Sequence, residues 1–200
     1  MIFSKIIDRA AKIIKNGGVI VYPTETLYGL GVDATNAQAI NRVYKIKGRD
    51  YKKPLSVAVL NVKEAKKIVH WNKYAEILSR RFMPGPLTII LKTKRKFPKK
   101  LTAGRNKIGI RIPNHSVALE LIKGVKIPIT STSANVSGTK EPINYQRVKK
   151  DMKNKVDLII PCRVKYGKPS TVVDLTKRPK VLRIGVIDKE LIEDALAGVA

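Results

Sequence analysis

The stretch Gly17-Gly18-Val19-Ile20-Val21-Tyr22-Pro23-Thr24-Glu25-Thr26-Leu27-Tyr28-Gly29-Leu30-Gly31 decides how this chain is organised. Val19 to Tyr22 is a short β-branched apolar run between glycine and proline, which favours a central strand of an α/β sheet over a helix. Pro23 to Gly31 reads as a loop rich in hydroxyl groups and glycine. Because ligands of open α/β sheets gather at the carboxyl ends of strands, we expect Thr24 to Thr26 at the functional site. A solvent-exposed turn is the alternative, since Pro, Thr and Gly are common in turns.

Helical and strand patterns alternate outward from this stretch. An amphipathic helix from Ser4 to Lys15 precedes it and ends at the glycine pair. The later strands are predicted at Leu55–Leu60, Leu87–Leu91, Ile108–Ile112, Ile127–Ile129, Val156–Ile160, Ser170–Leu175 and Val181–Ile184. The last two follow each other without a helix, so part of the sheet should be antiparallel. We therefore predict one α/β domain over residues 1–200, a three-layer sandwich around a twisted mixed parallel and antiparallel sheet. A Rossmann sheet is disfavoured because no G-x-G-x-x-G follows a strand.

Three local patterns carry separate predictions. Thr35 to Gln38 has the spacing of a capping box, so Thr35 is expected to begin the next helix. Lys92 to Lys100 is strongly basic and aperiodic, and it predicts an exposed, hairpin-like excursion. Arg111 lies in the alternating strand Ile108–Ile112, where an arginine among apolar residues needs a partner.

The charge balance points to a polyanionic partner or substrate. The 200 residues carry a formal net charge of +26, and much of the excess is lysine spread over helices. A lysine-rich surface is also typical of proteins from hot or salty cytoplasms, which is the alternative explanation. No apolar run of about 18 residues is present, and the single cysteine, Cys162, excludes an internal disulfide. We expect a soluble, cytoplasmic protein without a membrane partner.

Several familiar site types are excluded or disfavoured. No G-x-x-x-x-G-K-[ST] is present, which argues against a P-loop nucleotide site. His70 and His115 are far apart and lack carboxylates or cysteines at ligand spacing, so no metal site is predicted. The serines near Ser131 lack the G-x-S-x-G elbow of acyl-serine hydrolases.

What remains is a set of hydroxyl groups and cations near strand and helix ends, a combination that suits anions. Reactions at phosphate depend largely on positioning and charge neutralisation, which such groups supply. Lys47 and Arg49 have an alternative explanation as favourable charges at a helix C-terminus, and Arg111 as a structural salt bridge.

Seven blocks, in order, carry a resemblance to a known family. They are Pro23-Thr24-Glu25-Thr26-Leu27-Tyr28-Gly29-Leu30, Lys47-Gly48-Arg49, Pro54-Leu55-Ser56-Val57, Pro84-Gly85-Pro86-Leu87-Thr88, Arg111-Ile112-Pro113, Ser133-Ala134-Asn135-Val136-Ser137-Gly138 and Pro169-Ser170-Thr171-Val172-Val173-Asp174. Together they resemble the YrdC-like family of threonylcarbamoyl-AMP synthases, in its short, single-domain form. The resemblance extends from the first helix to Arg183.

The resemblance implies a nucleotidyltransferase that converts L-threonine, bicarbonate or CO2, and ATP into threonylcarbamoyl-adenylate and pyrophosphate. This is the first step towards the t6A base of ANN-reading tRNAs. In that reaction the threonine amine captures CO2, and the carbamate oxygen attacks the α-phosphorus of ATP. Mg²⁺ is expected on the triphosphate rather than in a protein cage.

The matching positions supply the candidate site residues. Those matching threonine-binding positions are Thr26, Ala58, Arg111, Ser131 and Ser170, with Arg111 as the fork for the threonine carboxylate. Those matching ATP-binding positions are Arg49, Lys53, Lys107, Ser133, Ile143 and Arg183. Lys47, Arg49, Ser133 and Asn135 complete the K-x-R and S-x-N signatures and are the candidate catalytic residues. Ala58 stands where relatives have histidine, and Ile143 would contact ATP through its main chain.

Two other functions compete with the synthase. The first is an RNA- or tRNA-binding module without adenylation activity, which the charge supports. The second, a carbamoyl-transfer domain of another enzyme, is weakened because no attached domain is evident. The expected partners of a synthase are ATP, L-threonine, bicarbonate, and tRNA or the downstream t6A transferase machinery. A monomer is favoured.

Overall fold

The computed structural model describes residues 2–198, with side chains from Ser4 onward. Within that range helices and strands alternate along the chain. The helices are α1 Ile2–Lys15, α2 Ala37–Lys47, α3 Val62–Ile68, α4 Lys73–Phe82, α5 Lys99–Thr102, α6 Ser116–Val125, α7 Tyr145–Met152 and α8 Lys189–Leu196. The strands are β1 Ile20–Pro23, β2 Tyr28–Gly31, β3 Ser56–Ala58, β4 Leu87–Lys92, β5 Lys107–Arg111, β6 Ile129–Ser133, β7 Leu158–Ile159, β8 Thr171–Asp174 and β9 Lys180–Arg183.

The described strands form one mixed sheet in the order β7-β1-β2-β6-β3-β5-β4-β8-β9. The pairs β1–β7, β3–β5 and β4–β8 are parallel, and the other five pairs are antiparallel. The predicted mixed α/β sheet is confirmed, and β8 and β9 pair antiparallel as expected from the absence of a helix between them.

The N-terminal hairpin differs from its prediction in two ways. The strand β1 is second from one edge of the sheet rather than central. The second half of the predicted loop is itself the strand β2, which pairs with β1. The strand β2 was not predicted because two of its residues are glycines, and glycine weakens a strand pattern. A Cβ at Gly29 or Gly31 would lie 3.2 or 2.9 Å from the ring of Tyr22, so these glycines let that ring pack against the backbone of β2.

The helices form two layers, which completes the predicted sandwich. The helices α1 and α6 pack through Ile14 and Leu121 on one sheet face, in a cluster with Tyr22, Ala58 and Ile129. The other helices contribute to the core on the opposite face, built around strand residues such as Val21, Val57 and Ile89. Because side chains alternate along a strand, neighbouring residues such as Val57 and Ala58 enter different cores.

Two local predictions were wrong. The cap of α2 is Asn36 rather than Thr35, and its Oδ1 accepts hydrogen bonds from the backbone N–H groups of Gln38 and Ala39. The segment Lys92–Lys100 is largely exposed, as predicted, but it is not a simple hairpin, because its last two residues begin α5, whose Leu101 is fully buried. That buried side chain fixes the segment to the core.

Candidate active site

A cavity of about 620 Å³ lies on the part of the α1/α6 face that those two helices leave uncovered. Its floor is one face of the sheet, because register pairs Ser56 with Ser131, Thr88 with Arg111, and Ile90 with Gly109. The sequence-predicted residues that line it are Thr26, Arg49, Lys53, Lys107, Arg111, Ser131, Ser133, Ser170 and Arg183. Residues separated by more than 150 positions therefore meet in one place.

Strand alternation explains why the floor is polar. Lys107, Gly109 and Arg111 occupy every second position of β5 and share the cavity face, whereas Ile108 and Ile110 point into the opposite core. A Cβ at Gly109 would lie 2.4 Å from Oγ of Ser56, so the serine packs directly against the backbone of β5. Small and hydroxyl-bearing residues thus keep the floor open for a ligand.

The turn between β1 and β2 folds around the Arg111 guanidinium. Oγ1 of Thr24 accepts hydrogen bonds from the backbone N–H groups of Thr26 and Leu27, both at 3.2 Å, which fixes the turn. Nη2 of Arg111 donates to Oγ1 of Thr26 at 2.5 Å and to Oε1 of Glu25 at 2.9 Å. Glu25 is therefore the partner that an arginine in this strand was expected to need.

This ion pair changes what Arg111 can offer a ligand. Both side chains are almost completely buried, with 8% and 4% of Arg111 and Glu25 exposed. Oε2 of Glu25 and Nε of Arg111 are buried without a hydrogen-bond partner among the described residues. Nη2 is already bonded to the turn and Nε is buried, so Nη1 is the nitrogen left for a carboxylate. The contact of Arg111 with threonine stays a prediction.

Two further arginines are held in the same manner. Nε and Nη2 of Arg49 donate to the carbonyl oxygens of Lys53 and Pro54, at 3.1 and 3.2 Å. Nε and Nη2 of Arg183 donate to the carbonyl oxygen of Ser170, at 3.1 and 2.9 Å. In the part of the chain that the structure describes, Nη1 of neither residue has a hydrogen-bond partner. Each guanidinium is thus fixed by carbonyls and keeps one nitrogen for an anion.

Lys107 is also tied to a neighbour. Its Nζ lies 2.6 Å from Oδ2 of Asp174, in a pair that is 32% and 14% exposed. Burial opposes the shift, but the hydrogen bonds from Lys107 and Thr176 hold the pKa of Asp174 below its usual value. The hydroxyl groups of Thr88 and Ser170 are in contact at 2.9 Å beside Arg183.

Lys47 and Asn135 lie behind the cavity wall rather than in it. Nζ of Lys47, which is 2% exposed, donates to the carbonyl oxygens of Ser133 and Asn135 at 2.5 and 2.9 Å. Oδ1 of Asn135 in turn accepts from Oγ of Ser133 at 2.6 Å. Burial, and next to it the charge of Arg49, lower the pKa of Lys47 to about 8. These two signature residues therefore hold the loop that carries Ser133.

Ala58 and Ile143 are the candidate residues that the structure does not bring to the cavity. Ala58 is 1% exposed in the α1/α6 core, two positions along β3 from the cavity residue Ser56. Ile143 is 49% exposed and lines a separate depression with Lys140 and Arg147. The side chain of Ala58 is kept from the cavity because α6 covers its end of the strand. The side chain of Ile143 points outward, and its main-chain contact with ATP stays a prediction.

Other lining residues escaped the assignments made from sequence. They include Ser56, Thr88, Arg105 and Glu141, and Asp174 is a half-buried partner of the lining residue Lys107. Thr24 lines the cavity and Glu25 pairs with Arg111 beside it, at the stretch where Thr24 to Thr26 were expected. Most of them lie inside the blocks that carried the resemblance, which was the available signal. Arg105 and Glu141 lie outside those blocks, and no pattern in the sequence marks them.

Comparison with known proteins agrees with this geometry. Residues 12–185 match the model of the Sua5, YciO and YrdC family, which is described as "Telomere recombination". The threonylcarbamoyl-AMP synthase of Pyrococcus abyssi is 37% identical over 193 residues, which are 94% of this chain and 56% of that protein. The threonylcarbamoyl-AMP synthase of Chromobacterium violaceum is 36% identical over 90% of this chain and 93% of its own length.

Solved structures give the same result. The crystal structure of P. abyssi Sua5 complexed with L-threonine has a TM-score of 0.91 at 35% identity, and covers 96% of this chain and 57% of that one. The crystal structure of Escherichia coli YciO has a TM-score of 0.82 at 31% identity, and covers 92% of this chain and 91% of that one. The family match spans most of the chain and two synthases exceed 30% identity over it, so this chain belongs to the Sua5, YciO and YrdC family.

Proposed function

We propose that this chain is an L-threonylcarbamoyladenylate synthase, which joins L-threonine, bicarbonate or CO2, and ATP into threonylcarbamoyl-AMP with release of pyrophosphate. The observation that carries the proposal is the cavity in which Arg49, Arg111 and Arg183 are each fixed by protein oxygens while Nη1 stays available. The relatives named as threonylcarbamoyl-AMP synthases and the threonine complex of P. abyssi Sua5 support it.

The amino acid would bind at the Arg111 end of the cavity. Nη1 of Arg111 would donate a hydrogen bond to the threonine carboxylate, and Thr26, Ser131 and Ser170 would supply hydroxyl groups around it. The pairing with Glu25 compensates part of the positive charge of Arg111. The threonine carboxylate would therefore depend on the surrounding hydroxyl groups as well as on Arg111. The threonine amine, once deprotonated, adds to CO2, releases a proton and forms the carbamate.

The nucleotide would bind along the remaining cations. Arg49, Lys53, Lys107 and Arg183 surround the space left beside the threonine site, with Oγ of Ser133 on the same wall. A carbamate oxygen attacks the α-phosphorus, the bond to pyrophosphate breaks, and its electron pair leaves with the pyrophosphate. Cations that are fixed before the reaction stabilise that developing charge without reorganisation.

Lys47 and Asn135 act on this reaction indirectly in our proposal. Their hydrogen bonds fix both the carbonyl and the hydroxyl of Ser133. They are therefore positioning residues, whereas Arg49 and Ser133 are the catalytic members of the two signatures.

Mg²⁺ would enter as MgATP. No group of three His, Cys, Asp or Glu suited to a metal occurs within residues 2–198, and Mg²⁺ commonly uses substrate phosphates with one or two carboxylates.

The proposal also includes the other partners. Bicarbonate is a substrate, and tRNA or the t6A transferase machinery accepts the product. The protein acts as a single-domain monomer in the cytoplasm. No helix among the described residues has the length and apolar character to span a membrane.

The decisive experiment is threonine-dependent pyrophosphate release. Purified protein with MgATP, bicarbonate and L-threonine should release pyrophosphate, and omission of either threonine or bicarbonate should abolish it. A folded preparation that releases none would refute the synthase. A protein that instead only binds tRNA, with affinity falling steeply between low and physiological salt, would favour the RNA-binding alternative.

A further inference from the structure

Glu141 is an acidic residue in a cavity wall whose other charged residues are cationic. Seven cationic side chains line the cavity, and among the described residues Glu141 is the only carboxylate that lines it with them. The cations are Arg49, Lys52, Lys53, Arg105, Lys107, Arg111 and Arg183. A carboxylate in such surroundings would be expected to pair with one of them, as the other two nearby carboxylates do.

Glu141 has no such pair. Glu25 is bonded to Arg111 and Asp174 to Lys107, so both of those charges are already compensated. The side chain of Glu141 makes no salt bridge within residues 4–198 and is exposed. It lines both the cavity and the neighbouring depression that contains Ile143. One carboxylate therefore stays available for a cation that arrives from outside.

The backbone around Glu141 is fixed. The neighbouring carbonyl of Pro142 accepts a hydrogen bond from the backbone N–H of Tyr28 at 3.0 Å, next to the cavity. On the other side, Nδ2 of Asn135 donates to the carbonyl of Thr139 at 2.9 Å. The loop is thus attached at both ends to cavity elements, and Glu141 is held at the wall rather than free in solvent.

Glu141 lies close to the groups that are proposed to hold the nucleotide. Burial lowers the pKa of Arg183, while the charge of Glu141 raises it and the charges of Arg111 and Arg49 lower it further. Glu141 is therefore within electrostatic reach of Arg183, one of the two arginines proposed to hold ATP. A bare triphosphate placed there would be repelled by Glu141, whereas a triphosphate that carries a divalent cation would present that cation to it.

We infer that Glu141 contacts the divalent cation of the bound nucleotide, directly or through a water molecule, and so makes the cavity select MgATP over metal-free ATP. The inference rests on the proposed function, because it assumes that this cavity binds ATP. One carboxylate together with phosphate oxygens is a normal environment for Mg²⁺, which retains several of its waters.

The test is the ratio of two binding constants, measured by calorimetry without threonine: ATP with excess Mg²⁺ and ATP in EDTA. We expect the wild type to prefer MgATP and Glu141→Gln to lower this preference about tenfold, by binding metal-free ATP more tightly and MgATP more weakly. Tighter binding of metal-free ATP cannot come from a misfolded variant. Glu141→Asp should keep the preference, and Glu120→Gln, a substitution of an exposed carboxylate on α6, should leave both constants unchanged.

A second readout uses the metal itself. The electron paramagnetic resonance spectrum of Mn²⁺ in the ternary complex with ATP should change between wild type and Glu141→Gln, and the ternary complex should hold Mn²⁺ less tightly in the variant. An unchanged preference and an unchanged spectrum in Glu141→Gln would overturn the inference while leaving ATP binding intact. Failure of the wild type to bind ATP in any form would instead refute the proposed function, and the inference with it.

Discussion

Oε1 of Glu25 lies 2.9 Å from Nη2 of Arg111, and both side chains are almost completely buried at the floor of the cavity. The two come from distant parts of the chain, the turn after β1 and the end of β5. Because Thr26 contacts the same nitrogen, the turn determines which part of the guanidinium can face a ligand.

Removal of the Arg111 guanidinium should weaken threonine binding far more than ATP binding. Arg111→Ala should lower threonine affinity about 10- to 100-fold, since a hydrogen bond to a charged group contributes about 1.5–3 kcal/mol. Isothermal titration of each ligand measures this. Arg80→Ala, at an exposed arginine of α4, is the matched control. Equal losses for both ligands in Arg111→Ala would contradict the assignment of this end to threonine.

Breaking the Glu25–Arg111 pair should destabilise the fold. Glu25→Ala leaves the buried Arg111 charge uncompensated, so the free energy of unfolding should fall by about 3–5 kcal/mol. Urea unfolding measures it. Glu193→Ala removes an exposed partner of Lys189 and should cost less than about 1 kcal/mol. If the two substitutions have similar effects, Glu25 does not stabilise Arg111.

Lys47 should make stability rise with pH in the alkaline range. Its pKa is about 8 in the folded protein against 10.5 ordinarily, because burial disfavours the charged form. Between these values the unfolded chain holds the proton that the folded protein has lost, so the free energy of unfolding increases with pH. The slope for one proton is at most about 1.4 kcal/mol per pH unit.

Comparison of Lys47→Met with the wild type isolates this contribution. The free energy of unfolding of the wild type minus that of Lys47→Met should increase from pH 8 to about pH 10.5. Lys45→Met, at an exposed lysine of the same helix, should follow the wild type. A difference that stays constant across this range would show that Lys47 titrates normally.

Gly109 should tolerate no side chain. In Gly109→Ala the new Cβ would lie 2.4 Å from Oγ and 3.0 Å from Cβ of Ser56, so overpacking should cost about 1–3 kcal/mol and weaken ligand binding. Adding Ser56→Gly should restore much of the stability. Gly124→Ala, whose Cβ would meet its nearest neighbour at 3.5 Å, is the control and should be close to neutral. Wild-type stability in Gly109→Ala would refute the close approach.

The general fold was predictable because local patterns are strong in this chain. The run Val19 to Tyr22 and the alternation in Ile108–Ile112 coincide with β1 and β5 to within one residue at each end, and the glycine pair Gly17–Gly18 follows the end of α1 as predicted. The strand β2 was missed because two of its four residues are glycines, which weaken a strand pattern. In the folded protein the same glycines leave the space in which the ring of Tyr22 packs. Nine of the thirteen candidate site residues line the cavity, and Lys47 and Asn135 support its wall.

The sequence by itself determined the mixed α/β class, the family and the residue types that gather around the cavity, because these depend on short-range periodicity and on motifs in order. Only the tertiary structure decided which of those residues meet a ligand. Ser56 and Ala58 share one face of β3, yet α6 covers Ala58 and leaves Ser56 open. Likewise, nothing in the local sequence pairs Glu25 with Arg111. Contacts between residues so far apart depend on how the helices pack over the sheet, and local propensity carries no information about that packing.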